Sequence, residues 1–153
     1  MADPELHRAL RESVEEVLEK MFFVRPIAPM EESGRLIDLY VRLGFDGDPP
    51  GYLVLGASRR AARSIAADFL ADDEQSLTDQ QTAEVICELA NMICGSVLSR
   101  IESSATFRLG APEVISTREA VQAYGEGVEH GVELGNGAIS VSIHMEAACR
   151  AGG

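Results

Sequence analysis

Residues 78–101 set the terms for the rest of the chain. Thr78-Asp79-Gln80-Gln81 has the form of a capping box, which opens a long helix from Thr82 to about Ile101. At about 100° per residue, Ala83, Ile86, Cys87, Ala90, Cys94, Val97, Leu98 and Ile101 fall on one broad apolar stripe. Val85, Leu89 and Met92 fall on the far side. A helix apolar on two sides must be covered on both. The remaining chain therefore has to supply other layers. Between the apolar sides runs a narrow strip, Glu84, Glu88, Asn91 and Gly95, at steps of four, three and four. Glu88 and Asn91 stand one turn apart, about 4.5 Å along the axis.

The covering layers are legible on either side. Asp3 can cap a first helix, with Pro4 at its first position and Glu5 favouring the dipole. Leu6, Leu10, Val14, Val17, Leu18 and Met21 form its apolar stripe, and Pro26 ends it. The period then changes. Ile37, Leu39, Val41 and Leu43 alternate, which predicts a strand over about 34–45. The turn Asp46-Gly47-Asp48-Pro49-Pro50-Gly51 leads to a second, antiparallel strand, Tyr52–Leu55. From Ser58, the residues Ala62, Ile65, Ala66, Phe69 and Leu70 predict a short helix, stopped by Asp72-Asp73-Glu74.

Beyond the long helix, Thr106–Leu109 and Val114-Ile115 are extended segments around Gly110-Ala111-Pro112. Val128, His130, Val132 and Leu134 alternate up to Gly135-Asn136-Gly137, a hairpin turn, and Ile139, Val141 and Ile143 form the last strand. The Gly152-Gly153 end is expected to fray. The order predicts an α+β fold, an antiparallel β-sheet with helices packed on it. The length of 153 residues suits a single domain over 1–153.

Charge narrows the partners. Lys and Arg number 13 against 25 Asp and Glu, a formal charge of −12. Nucleic acid and anionic membrane surfaces would repel such a chain. Its apolar runs are a handful of residues, short of a membrane span, and Met1–Arg8 carries no apolar signal core. Three cysteines, an odd number, suit reduced thiols in the cytoplasm. Cys87 and Cys94 are about 10 Å apart along one helix face, too far for a disulfide. His7, His130 and His144 show no metal spacing, so no metal of its own is expected. Ser58, Ser64 and Ser103 lack a nucleophile elbow, and Gly125-Glu126-Gly127 has no Lys or helix start to make a phosphate loop. Phe22-Phe23 reads as core, and Arg59, Arg60 and Arg63 as a solvated face.

The strip breaks two rules of helix stability. Glu84 and Glu88 are like charges four apart, costing a few tenths of a kcal/mol. Gly95 costs about 1 kcal/mol against alanine. Spacing alone fits a solvated face with a packing glycine. It also fits a surface on which a second chain's backbone comes close. A carboxylate and an amide one turn apart can pair with a cation and orient a water, but neither is a nucleophile.

Leu77-Thr78-Asp79, Glu88-Leu89-Ala90-Asn91-Met92, Gly95 and Ala111–Ser116 together resemble the CheC/CheX/FliY family, phosphatases of the chemotaxis response regulator CheY. The similarity is clearest over about 77–116 and nearest to the CheX branch. The family helix carries Ser or Asp, then Glu four residues on, then Asn three further, with a Pro in the following segment. Glu88 and Asn91 match outright, Pro112 falls one residue early, and Glu84 replaces the Ser or Asp. CheC-like chains repeat the helix and CheX-like chains keep one. The only asparagines here are Asn91 and Asn136, so the resemblance is to the one-site form.

The resemblance implies catalytic roles for Glu88 and Asn91 and partner contacts at Glu84, Gly95 and Pro112. It implies hydrolysis of the aspartyl phosphate of a CheY-like receiver domain. It implies no cofactor of the chain's own, with Mg²⁺ supplied by the receiver. It also implies a homodimer, with the hairpin Val128–Leu134 and Ile139–Ile143 needing edge cover. The alternatives are a non-catalytic receiver-binding or flagellar-switch-like module, and a structural homodimer with a solvated strip.

Overall fold

The computed structural model describes residues 4–22, 28–29, 37–47, 49–101, 107–124, 127–135 and 137–146. Asp3, Phe23, Pro26, residues 34–36, Asp48, Ser103, Thr106, Gly125, Glu126, Asn136, Cys149 and the Gly152-Gly153 end lie outside them, and with them the readings placed there.

The first helix, α1 (Pro4–Met21), buries Leu6, Leu10, Val14, Val17 and Leu18, as its spacing predicts, and Ala9 and Ser13 with them. Met21 departs from that stripe and is exposed. Phe22 is buried in its place, stacked on Phe69 with ring centroids 4.7 Å apart.

After the short strand β1 (Ala28–Pro29) come β2 (Leu39–Asp46) and β3 (Gly51–Ala57), paired antiparallel from Leu39↔Ala57 to Phe45↔Gly51. The alternation reaches back to Ile37, but the strand begins at Leu39. Helix α2 (Arg59–Leu70) starts at Ser58, whose Oγ accepts from the N–H of Ala61. Its stop is not the acidic run. Ala71 turns left-handed at φ 54°, and the N–H groups of Ala71 and Asp72 donate to Asp68 O and Ala67 O. A backbone cap closes those carbonyls whatever charge follows. Phe69 and Leu70, at this end, are exposed.

A 3-10 turn (Glu74–Ser76) leads to α3 (Asp79–Ile101). The capping box is reciprocal: Gln81 N–H donates to Thr78 Oγ1 at 3.0 Å, and Thr78 N–H to Gln81 Oε1 at 2.9 Å. The helix therefore begins at Asp79, ahead of Thr82. By length and composition α3 could cross a membrane, but Val85, Ile86, Leu89, Ile93, Cys94, Val97 and Leu98 are spent on the core of this domain.

Strands β4 (Arg108–Leu109) and β5 (Glu113–Ile115) both pair with β2. A further helix, α4 (Thr117–Tyr124), which the sequence reading did not anticipate, precedes the hairpin β6 (Val128–Leu134) and β7 (Gly137–Met145). Among the described residues the seven strands make one antiparallel sheet, in the order β1-β6-β7-β3-β2-β4, with β5 also on β2. The edge cover that the β6–β7 hairpin needs comes in part from within the chain. β7 is internal, paired with β3, and β6 is covered in part by β1.

One sheet face carries Val41, Leu43, Leu53, Leu55, Val141 and Ile143, buried with α1, α2 and α3 in the main core. Tyr52 points to the other face and donates to Ala123 O, so α4 sits there. The fold is α+β, an antiparallel sheet with helices packed on it.

Candidate functional site

Helix α3 is held by α1 on one side and α2 on the other, over β2 and β3. Against α1 the contact is polar at its rim. Ser13, fully buried, accepts from Ser96 Oγ at 2.9 Å and Arg100 Nε at 3.1 Å, while Arg100 pairs with Glu12 and Glu16. Against α2, Arg59 and Arg63 reach Asp79 at 3.4 and 3.6 Å, and Arg63 also donates to Glu74 O and Leu77 O. These two arginines are thus fasteners of the α2–α3 connection rather than a free basic face.

With both flanks packed, the outward line of α3 is the strip read from the sequence. Glu84 and Glu88 are exposed, and Asn91 and Gly95 half-buried. Glu84 accepts from Gln80 Nε2, one turn earlier, at 3.3 Å. Among the described residues no side-chain partner meets Glu88 or Asn91. A carboxylate and an amide therefore stand free for a second molecule, one turn apart on a helix fixed from behind.

Gly95 is not a packing glycine. Beyond the backbone of its own helix turn, a Cβ there would meet no atom of the described residues within 4 Å. The cost of about 1 kcal/mol that glycine imposes inside a helix has no return in packing among the described residues.

Pro112 is not on the strip. It lies between β4 and β5, both of which lie beside α3. Phe45 pairs with Leu109 and Arg42 with Glu113, so two residues of β2 face three, Gly110, Ala111 and Pro112. This is a β-bulge, and Gly110 N–H anchors it to Gly44 O at 2.8 Å. Proline, without an N–H, suits this edge position. Val114 pairs with the buried Val41 across the strands, so it projects on the α3 side of the sheet, where it is exposed. The sequence reading missed Val114 as an exposed side chain, because a three-residue strand shows no period.

The cysteines offer no chemistry at the strip. Burial and the nearby Glu84 carboxylate push the Cys87 thiol up, and burial pushes Cys94 up to about 12. Both stay protonated at neutral pH, and the thiol is a poor nucleophile and ligand. Among the described residues no His, Cys, Asp and Glu come together as a metal site.

Architecture and strip together define a protein of the CheC, CheX and FliY type. The chain belongs to the CheX family: the family model described as chemotaxis phosphatase CheX matches residues 39–130, from β2 into β6 and including α3 and Pro112. Among solved structures, the CheX–CheY–BeF3–Mg²⁺ complex from Borrelia burgdorferi matches with TM-score 0.71 at 17% identity, covering 91% of this chain and 96% of that one. CheX from Desulfovibrio desulfuricans matches with TM-score 0.69 at 19% identity, covering 93% and 99%. FliY from Thermotoga maritima matches with TM-score 0.61 at 12% identity, covering 96% and 89%. At these identities the likeness is one of fold. No curated protein matches the chain.

Proposed function

We propose that this CheX-family protein hydrolyses the aspartyl phosphate of a CheY-like receiver domain. The observation that carries the reading is the pair of an exposed Glu88 and a half-buried Asn91, unpartnered among the described residues and one turn apart on a helix fixed by packing. A relative of the same fold was solved with CheY, BeF3 and Mg²⁺, which supports a receiver as the partner.

In this reading α3 enters the receiver's phosphorylation site. Asn91 accepts from and donates to a water and holds it in line with phosphorus. The water oxygen bonds to phosphorus, its second proton passes to a phosphoryl oxygen, the bond from phosphorus to the aspartyl oxygen breaks, and the receiver's aspartate carboxylate and inorganic phosphate are the products. Glu88 pairs with the receiver's Lys and fixes the docking. The Mg²⁺ belongs to the receiver and neutralises charge on the phosphoryl oxygens. Positioning of water, with no covalent intermediate on this chain, is a sufficient source of rate for such a bond.

The test is phosphate release from a phosphorylated receiver with and without the chain. Faster release that needs Asn91 is the expected result, and unchanged release overturns the reading. One observation favours a second reading, a receiver-binding module without hydrolysis. Glu84 stands exposed on the strip, where the family pattern it resembles has a shorter Ser or Asp, and a longer acid there can redirect docking. Retained binding with unchanged release selects that reading. We also propose a homodimer that acts in the cytoplasm, where its receiver is.

A further inference from the structure

Gly95 is a mid-helix glycine with open space where a Cβ would stand. Among the described residues nothing asks for glycine there, and a helix interior disfavours it. Glycine is otherwise placed where another backbone must come close. Gly95 lies on the line of Glu84, Glu88 and Asn91, one turn past the amide. The two carboxylates stand at the opposite end of that line, and among the described residues the only hydrogen-bond partner of either is the neutral Gln80 amide on Glu84. The strip is therefore directional: two negative charges, then an amide, then a gap.

We infer that the receiver's main chain passes closest to α3 at Gly95, with its cationic side chains over Glu84 and Glu88, so that α3 crosses the receiver in one direction only. This rests on the receiver-docking reading above. It adds an orientation and a steric limit, and it makes Glu84 a second charge anchor that selects receivers with a cation beside the active-site Lys.

The experiment titrates the parent chain, Gly95→Ala, Gly95→Met and Glu84→Gln with a CheY-type receiver loaded with BeF3 and Mg²⁺, at low and high salt. Thermal midpoints of the free chains are measured in parallel. Gly95→Ala should raise the midpoint and weaken binding a few-fold. Gly95→Met should fold and bind at least about 10-fold more weakly, with the salt dependence of the parent. Glu84→Gln should flatten the salt dependence. If Gly95→Met binds like the parent, or fails to fold because the position is packed after all, the close approach is overturned. If Gly95→Ala binds like the parent, the steric limit is overturned too. If Glu84→Gln keeps the parent's salt dependence, the orientation is overturned. A parent chain that does not bind the receiver overturns the docking reading itself.

Discussion

Asn91 and Glu88 stand one turn apart, yet their proposed tasks differ, and so should their failures. Asn91→Ala removes the group that orients water, so phosphate release should fall about 10²-fold or more. Binding of the BeF3-loaded receiver should change little, because a small amide contacts mostly water. Glu88→Ala strands a receiver Lys in a partly desolvated contact, so binding should weaken by roughly 2 kcal/mol, along with rate. A phosphate-release time course and a titration separate the two, and Asn91→Ala at parental speed removes the catalytic role. Both residues were legible because a helix converts spacing directly into a face. His130 was legible only in part. Its alternation with Val128 and Val132 places it on the buried face, but not its surroundings. The ring is 11% exposed, edge-on to His7, with Nε2 buried, unbonded and 3.7 Å from a Glu15 oxygen. Burial is the largest influence and lowers its pKa; Glu15 opposes, and His7 and Arg11 add to the lowering. A histidine held neutral by folding protonates first in the unfolded chain. Stability is therefore whole above about pH 6.5 and is lost as pH falls through the lowered value. Thermal melts from pH 8 to pH 5 should show this decline, and His130→Phe should flatten it.

At the scale of elements, two capping boxes of the same form had different legibility. Thr78 and Gln81 precede a long apolar helix, so box and stripe agree. Ser116 N–H donates to Glu119 Oε1 at 2.9 Å and Glu119 N–H to Ser116 Oγ at 3.2 Å, the same arrangement. Yet α4 is only eight residues long, and its apolar residues Ala120, Val121, Ala123 and Tyr124 span little more than one turn. The signal Ser-x-x-Glu was present, but the segment is too short for a helical period to stand out. The rim of Ser13, Ser96 and Arg100 escaped for the opposite reason, because polar residues inside a helix read as solvated until the neighbouring helix is known. Thr78→Ala should cost about 1 kcal/mol of global stability, read from denaturant unfolding, since α3 is part of the main core. Ser116→Ala should leave that transition nearly in place and speed amide exchange within α4, which contributes nothing to that core among the described residues. Equal global losses from both would mean that α4 unfolds with the core.

For the whole molecule, the pairing of neighbours in sequence was readable and the order of the sheet was not. Local alternation identifies β2 with β3 and β6 with β7. It does not reveal that β3 pairs with β7, which makes the hairpin internal on one side. The true edges bear on the proposed homodimer. The β4–β5 edge lies beside α3 and is interrupted by a bulge carrying Pro112, a device that discourages strand addition. At the other end, β1 pairs only with Val132 and Glu133, so among the described residues no strand covers β6 from Val128 to Gly131. A dimer formed by sheet extension there joins the copies at the far edge from β4 and β5. Each copy then keeps its strip open. Light scattering at tens of micromolar, an order-of-magnitude choice for ordinary interface strengths, should give twice the 16.5 kDa chain mass. Titration with BeF3-loaded receiver should saturate at one receiver per chain, because Asn91 is the one asparagine on the helix that bears the strip. A monomer mass removes the dimer. Saturation at one receiver per two chains places the interface at the β4–β5 edge instead, where one copy would shield the other's α3.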